Sequence, residues 1–289
     1  MSVAYRFLAI DVDGTLLDTS DRLPSANRDA LHRAHEAGLF VCLCTGRCYA
    51  ETRPVMDRIG LDLDAAVCVF GAIVNDARTG KTLHRWPIPQ RTARRLIEFF
   101  SARGHSVFVL QDPTEALTDY YIVNGVRETA AVDRWLAQAP TTCQRVAGWP
   151  ADAPEPVRIG VIEQPEHAPA LAAELTAAFG PNEVKSNTIF APNYGLHVVE
   201  CFAPHVNKWH AIERLARDRG IHAAEVVAVG DDVNDIEMIR SAGLGVAMGN
   251  AIEAVRAVAR VRTGTNNEAG LAAVVNRMLD GEFDGVAAR

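Results

Sequence analysis

Two aspartates two residues apart open the chemistry of this chain. Asp11 and Asp13 stand in Asp11-Val12-Asp13-Gly14-Thr15-Leu16-Leu17, directly behind an apolar stretch. On an extended backbone that spacing points both carboxylates the same way. Like charges so placed call for a cation or a shared proton. Asp-Gly is also ordinary turn chemistry, so by itself the pair reads as a reactive couple or as an acidic turn. A second group follows far along the chain, Gly230-Asp231-Asp232-Val233-Asn234-Asp235. Four acids or amides at one place suit a hard cation with oxygen ligands. Asp232 or Asn234 would serve equally well as a helix cap. Between them lie Thr45-Gly46-Arg47, a hydroxyl with free backbone amides suited to phosphate oxygens, and Lys208, a cation at a helix start. Alone, the first reads as a plain turn and the second as a solvated lysine.

The surrounding pattern says what must position these groups. Leu39–Cys44 and Ala65–Val69 are short, wholly apolar runs, and Tyr5–Ile10 is apolar but for Arg6; all three predict buried strands. Pro24 to Ala37 predicts a helix, with Ala30, Leu31 and Ala34 as its stripe and Gly38 as its stop. The last segment repeats the alternation: helix Lys208–Arg219, strand Glu225–Val229, helix Asn234–Ala242, strand Leu244–Met248. A strand over Leu196–Cys201 completes the expected core, ahead of Lys208. Strand–helix–strand order with fully apolar strands implies a parallel sheet covered on both faces, whose ligands bind at the strands' carboxyl ends. The middle is different. Proline-rich joins flank strands near Ser106–Leu110, Tyr120–Val123 and Val157–Ile162 and a helix from Pro169 to Phe179. It reads as a separate α+β domain at 83–196, inserted into a discontinuous α/β core at 1–82 and 197–289. A loose tail is expected after Gly281.

Three look-alikes fail on spacing. Gly80-Lys81-Thr82 lacks the upstream glycine of a phosphate-binding loop, Asn75 standing there, and reads as a hairpin turn. Asp11-Val12-Asp13-Gly14 has its glycine too early for a calcium loop, and Arg22 at the twelfth position. Gly243-Leu244-Gly245 finds its third glycine at Gly249, one residue late for a dinucleotide fingerprint. Cys42, Cys44 and Cys68 fall inside apolar runs; these, with Cys48, Cys143 and Cys201, read as reduced thiols rather than staples or metal ligands. The chain carries 29 basic and 36 acidic residues, a net charge of −7, without a basic run. Nucleic acid is a poor partner for it. No apolar run reaches the length of a membrane span, and Met1 to Arg6 lacks a secretory pattern. A cytoplasmic protein, monomer or weak homodimer, is the expectation.

The order of the pieces carries more than any one of them. Acid pair, Thr-Gly-Arg, lysine and second acid cluster resemble, in order, the four motifs of the haloacid dehalogenase superfamily. Gly230 to Asp235 with Met238, Gly245 to Ala251 and Thr265 to Gly270 are similar to its Cof-type phosphatase branch. The resemblance implies a Rossmann-like core with an inserted cap that sets specificity, and two-step phosphoryl transfer from a small phosphorylated metabolite. It assigns Asp11 as nucleophile and Asp13 as proton donor and then base, its pKa raised by its acidic neighbour. It implies Mg²⁺ held by the Asp11 carboxylate, the Asp13 backbone carbonyl, Asp231 and Asp235. Thr45, Gly46, Lys208 and Asn234 would bind phosphate, with Arg47 supporting them from behind. One departure stands out: the family's usual Asn-Gly after the third strand is Phe70-Gly71 here. That substitution either removes a polar group from the site edge or is plain aromatic packing. A phosphomannomutase-like mutase and a non-catalytic phosphate-binding module are the rival expectations.

Overall fold

The structure, a computed structural model, describes residues 5–191 and 194–284. Part of the N-terminal stretch read for a secretory pattern, and the end of the expected loose tail, lie outside them. The chain divides into two compact units, Met1–Gly80 with Asn207–Arg289 and, between these, Lys81–Val206.

The first unit begins with strand β1 (Phe7–Ile10), helix α1 (Ser25–Glu36), β2 (Phe40–Cys44), α2 (Tyr49–Ile59), β3 (Ala65–Cys68) and β4 (Ile73–Asp76). Every residue of β1 is fully buried. Burial of its Phe, Leu and Ile side chains contributes about 1.5–3 kcal/mol each. In α1 the stripe is Ala30, Leu31 and Ala34, as its spacing predicts. Helix α2 was not expected. Pro54 in its second turn looks like a stop, yet Thr52, Val55, Met56 and Ile59 make a buried face. Gly80 closes a tight turn, its amide donating to the Asp76 carbonyl, in agreement with the hairpin reading.

The second unit holds β5 (Thr82–Arg85), α3 (Gln90–Ser101), β6 (Val107–Leu110), β7 (Tyr120–Val123), α4 (Thr129–Gln138), β8 (Cys143–Val146), β9 (Arg158–Ile162), α5 (Ala168–Phe179), β10 (Lys185–Ala191) and β11 (Leu196–Phe202). Six of these strands form a mixed sheet in the order β10-β11-β9-β6-β7-β8. Leu96 and Phe100 of α3 and Leu171 and Leu175 of α5 share one hydrophobic cluster with Val109, Ile159 and Val199 of the sheet. Trp135 of α4 meets Phe108 and Tyr120 edge-on, with centroids 4.9 and 5.0 Å apart.

Strand β11 corrects the sequence reading. It pairs antiparallel with β9 and β10, not in the parallel core sheet. The second crossing therefore falls at Val206–Asn207 rather than near residue 196. An apolar run identifies a strand but not the sheet that takes it.

The chain then completes the first unit with α6 (Lys208–Asp218), β12 (Val226–Gly230), α7 (Ile236–Ser241), β13 (Leu244–Ala247), α8 (Glu253–Val258), β14 (Val261–Arg262) and α9 (Gly270–Leu279). Its strands run β14-β13-β12-β1-β2-β3-β4. All neighbours are parallel except β3 and β4. The carboxyl ends of β12, β1 and β2 thus lie side by side, where an open parallel sheet binds its ligands. Among the described residues, no helix is long and apolar enough to cross a membrane. The six cysteines are thiols outside any disulfide; Cys143 is half-buried and the others buried.

Candidate active site

Asp11 follows β1 directly, its amide donating to the Val229 carbonyl of β12. Its carboxylate is buried against Lys208, whose Nζ lies 2.5 Å from Asp11 Oδ1 and 2.6 Å from Asp235 Oδ1. Lys208 is the first residue of α6, set there by Asn207, whose Oδ1 accepts the His210 amide at 2.9 Å. No core strand precedes it, contrary to the reading of Leu196–Cys201. The lysine is fully buried. Burial alone would lower its pKa, but the flanking carboxylates outweigh that and raise it. Lys208 is therefore a fixed cation.

Asp235 is held on both sides. One oxygen takes Lys208; the other accepts the amides of Asp231 (2.9 Å) and Asp232 (3.1 Å). Asp231 receives the Thr15 hydroxyl on one oxygen (2.8 Å) and the Asn250 amide on the other (3.2 Å). Asn250 also donates to the Gly14 carbonyl at 2.8 Å. Gly14 is required here: its φ is +80°, and a Cβ would lie 2.2 Å from Asp231 Oδ2.

Asp11, Asp231 and Asp235 bring carboxylate oxygens within 4.8 Å of one another. Burial, then Asp235, push the Asp11 carboxyl well above the usual range, against the pull of Lys208. Burial and Asp235 likewise push Asp231 up to about 7. Three carboxylates facing one ammonium leave an excess of negative charge. With an all-oxygen donor set, that is the electrostatic need a hard divalent cation meets.

Asp13 reaches a different partner. Its side chain does not join the three acids. It forms a two-pronged pair with Arg47, whose Nε lies 3.0 Å from Oδ2 and Nη2 2.5 Å from Oδ1. The Arg47 side chain thus supports an acid. Thr45 is buried at the end of β2; its hydroxyl accepts the Arg47 amide at 3.1 Å. Gly46 lies under the Phe70 ring, where a Cβ would come within 2.3 Å. Phe70 is therefore buried against Gly46. Asn234 stands in the turn after β12, with a buried Oδ1 that finds no partner among the described residues.

Thr15 and Asn250 are the groups the sequence reading missed. Thr15 and Asn250 sit inside quoted motifs, so their presence was visible but their grip on Asp231 was not.

Buried carboxylates around a fixed cation at parallel strand ends suit the handling of a phosphoryl group, and relatives of the chain are phosphomonoesterases. The chain belongs to the haloacid dehalogenase-like hydrolase family, whose model matches residues 8–275. It is 28% identical over 285 residues to the pyridoxal phosphate phosphatase YbhA of Escherichia coli, covering 90% of this chain and 94% of that one. It is 25% identical over 290 residues to the 5-amino-6-(5-phospho-D-ribitylamino)uracil phosphatase YwtE of Bacillus subtilis, covering 96% and 99%. A haloacid dehalogenase-like hydrolase from Bacteroides thetaiotaomicron has the same fold, with a TM-score of 0.79 at 22% identity over 95% of this chain and 99% of that one.

Proposed function

We propose that this phosphatase hydrolyses a small phosphorylated metabolite, a sugar phosphate or similar monoester, in the cytoplasm through an aspartyl-phosphate on Asp11. The observation that carries this reading is Asp11 itself, buried at a strand end 2.5 Å from a fixed cation, with a second acid two residues on. A carboxylate oxygen of Asp11 attacks phosphorus, and the bond from phosphorus to the leaving oxygen breaks. Asp13 gives that oxygen a proton. It then takes one from water, which attacks the phosphoaspartate, releasing inorganic phosphate and regenerating Asp11. Lys208 balances charge on Asp11 and the phosphate. Thr45, Gly46 and Asn234 supply further polar contacts to phosphate oxygens. Mg²⁺, held by Asp11, the Asp13 backbone carbonyl, Asp231 and Asp235, would neutralise phosphate charge so that an anionic nucleophile can approach. Thr15 and Asn250 orient Asp231 for that role. The inserted unit, 81–206, sets substrate choice.

Phosphate release across a panel of metabolite phosphates with Mg²⁺ tests the activity, and rapid-quench labelling tests the roles. Asp11→Asn should form no phosphoenzyme. Asp13→Asn should lose about 10²–10⁴-fold on an alkyl phosphate yet accumulate phosphoenzyme from a nitrophenyl phosphate, whose leaving group needs no proton. Label on the Asp11→Asn variant would assign the nucleophile elsewhere. Phosphoryl transfer between sugar positions without phosphate release would make the enzyme a mutase.

A further inference from the structure

Arg47 reaches past Asp13 to a third residue. The same Nη2 that contacts Asp13 lies 2.9 Å from Asp21 Oδ1. Asp21 in turn is gripped by Arg58, in the last turn of α2. Arg58 Nη1 donates to the Asp21 carbonyl at 2.6 Å, and its Nη2 lies 3.7 Å from Asp21 Oδ2. Charges thus alternate along one line, Arg58, Asp21, Arg47, Asp13, from a helix end to the site.

The backbone at Asp21 is bent to make this possible. Its φ is +56°, a left-handed conformation that aspartate adopts more readily than most residues. The turn is locked by Asp18, whose carbonyl accepts the Asp21 amide at 3.0 Å and whose carboxylate accepts the amides of Ser20 and Arg22. Asp21 is itself more than half exposed, at 55% of its side chain, whereas Arg47 is at 11%. An exposed ion pair does little for stability. A largely buried guanidinium held between two acids, the outer one exposed, points to a positional task for Asp21.

We propose that Asp21, held by Arg58, is a positioning residue for the acid–base step: it fixes the Arg47 guanidinium, which fixes both oxygens of Asp13. Without Asp21, Arg47 keeps its contact with Asp13 but loses the second anchor that sets its angle. The Asp13 carboxyl then swings with it, away from the leaving-group oxygen. This rests on Asp13 acting as acid and base, and it concerns only steps that move a proton.

The test compares two leaving groups in Asp21→Asn. Asparagine tolerates the left-handed backbone, so the turn survives. Thermal melting should give a midpoint close to the parent's. Turnover of an alkyl phosphate should fall about tenfold, short of the 10²–10⁴-fold expected for losing the acid outright, with KM little changed. The pre-steady-state burst of nitrophenolate from nitrophenyl phosphate should stay within about twofold of the parent, since that step needs no proton donor. Arg58→Met should show the same split. The double variant should lose no more than the worse single one, because both cut one chain. Arg58→Lys, which keeps a cation, should recover part of the loss. Equal losses on both substrates, or none on either, overturn the proposal. If Asp13→Asn itself fails to separate the two substrates, the reading of Asp13 falls instead.

Discussion

Lys208→Met should be among the most informative single changes in the first unit. The substitution keeps most of the apolar stem and removes the charge. In the parent, the ammonium lies 2.5 Å from Asp11 and 2.6 Å from Asp235, with the lysine and Asp235 side chains fully buried. At an effective dielectric near 20, one such pair is worth about 6 kcal/mol. Desolvation of the ions offsets much of this, so the net value of the triad is modest. Breaking it is another matter: a buried charge left alone typically costs about 3–5 kcal/mol. We expect that loss in urea unfolding of the metal-free protein near neutral pH. The abandoned carboxylates can escape by taking up protons, so the loss should shrink as pH falls toward the ordinary carboxylate range. A compensating Asp235→Asn in the same chain should recover part of it. Phosphatase turnover should fall at least a hundredfold, beyond what unfolding explains. A loss under about 1 kcal/mol that is the same at both pH values would refute the reasoning, for it would mean the carboxylates never depended on the lysine.

The metal and the packing of the site edge give two further checks. Excess chelator should abolish phosphatase activity and Mg²⁺ should restore it, with Ca²⁺ restoring little because its coordination is larger and looser; full activity in chelator would sink the assignment. Asp231, pushed up to about 7, holds a proton in the native metal-free protein that an unfolded chain has already released. Metal-free stability should therefore decline as pH rises from the unfolded carboxylate range through about 7, and Mg²⁺ affinity should weaken below it, both read from melting curves with and without the ion. Gly46→Ala places a methyl against the Phe70 ring and should cost about 1–3 kcal/mol, with Phe70→Ala in the same chain restoring most of it.

The elements that position the site were legible because their side chains are buried on all sides. A run such as Phe7–Ile10 or Val226–Val229 has no polar residue because no face of it meets water. Two failures have physical causes. Helix α2 carries Pro54 in its second turn, a residue that argues against a helix interior. Strand β11 was given to the wrong sheet because its sequence records burial, not direction or neighbour; only the pairing of Leu196–Phe202 with β9 and β10 decides that. The candidate site was legible by residue type, since Asp11, Asp231, Asp235 and Lys208 each stand at an element boundary. Their partners were not. Nothing in the spacing of Asp13 and Arg47, 34 residues apart, says that the guanidinium turns to that carboxylate.

Phe70 shows how a visible anomaly and its explanation can lie at different levels. The sequence shows an aromatic residue where the resembling family has asparagine, and two explanations stand side by side. The structure gives the backbone there as left-handed at both Val69 and Phe70, with φ of +53° and +55°. Asparagine adopts that conformation cheaply; valine and phenylalanine do not. Such strain persists only when the surroundings over-determine it. They do so here: the Val69 amide donates to the Arg47 carbonyl and the Phe70 amide to the Thr45 carbonyl, both at 2.9 Å. Those bonds tie the strained turn to the loop that carries Thr45, Gly46 and Arg47, and the Phe70 ring then covers Gly46. The aromatic side chain thus replaces a local preference for the turn with packing on the residue it must face. The departure acts on the loop from which Arg47 reaches Asp13.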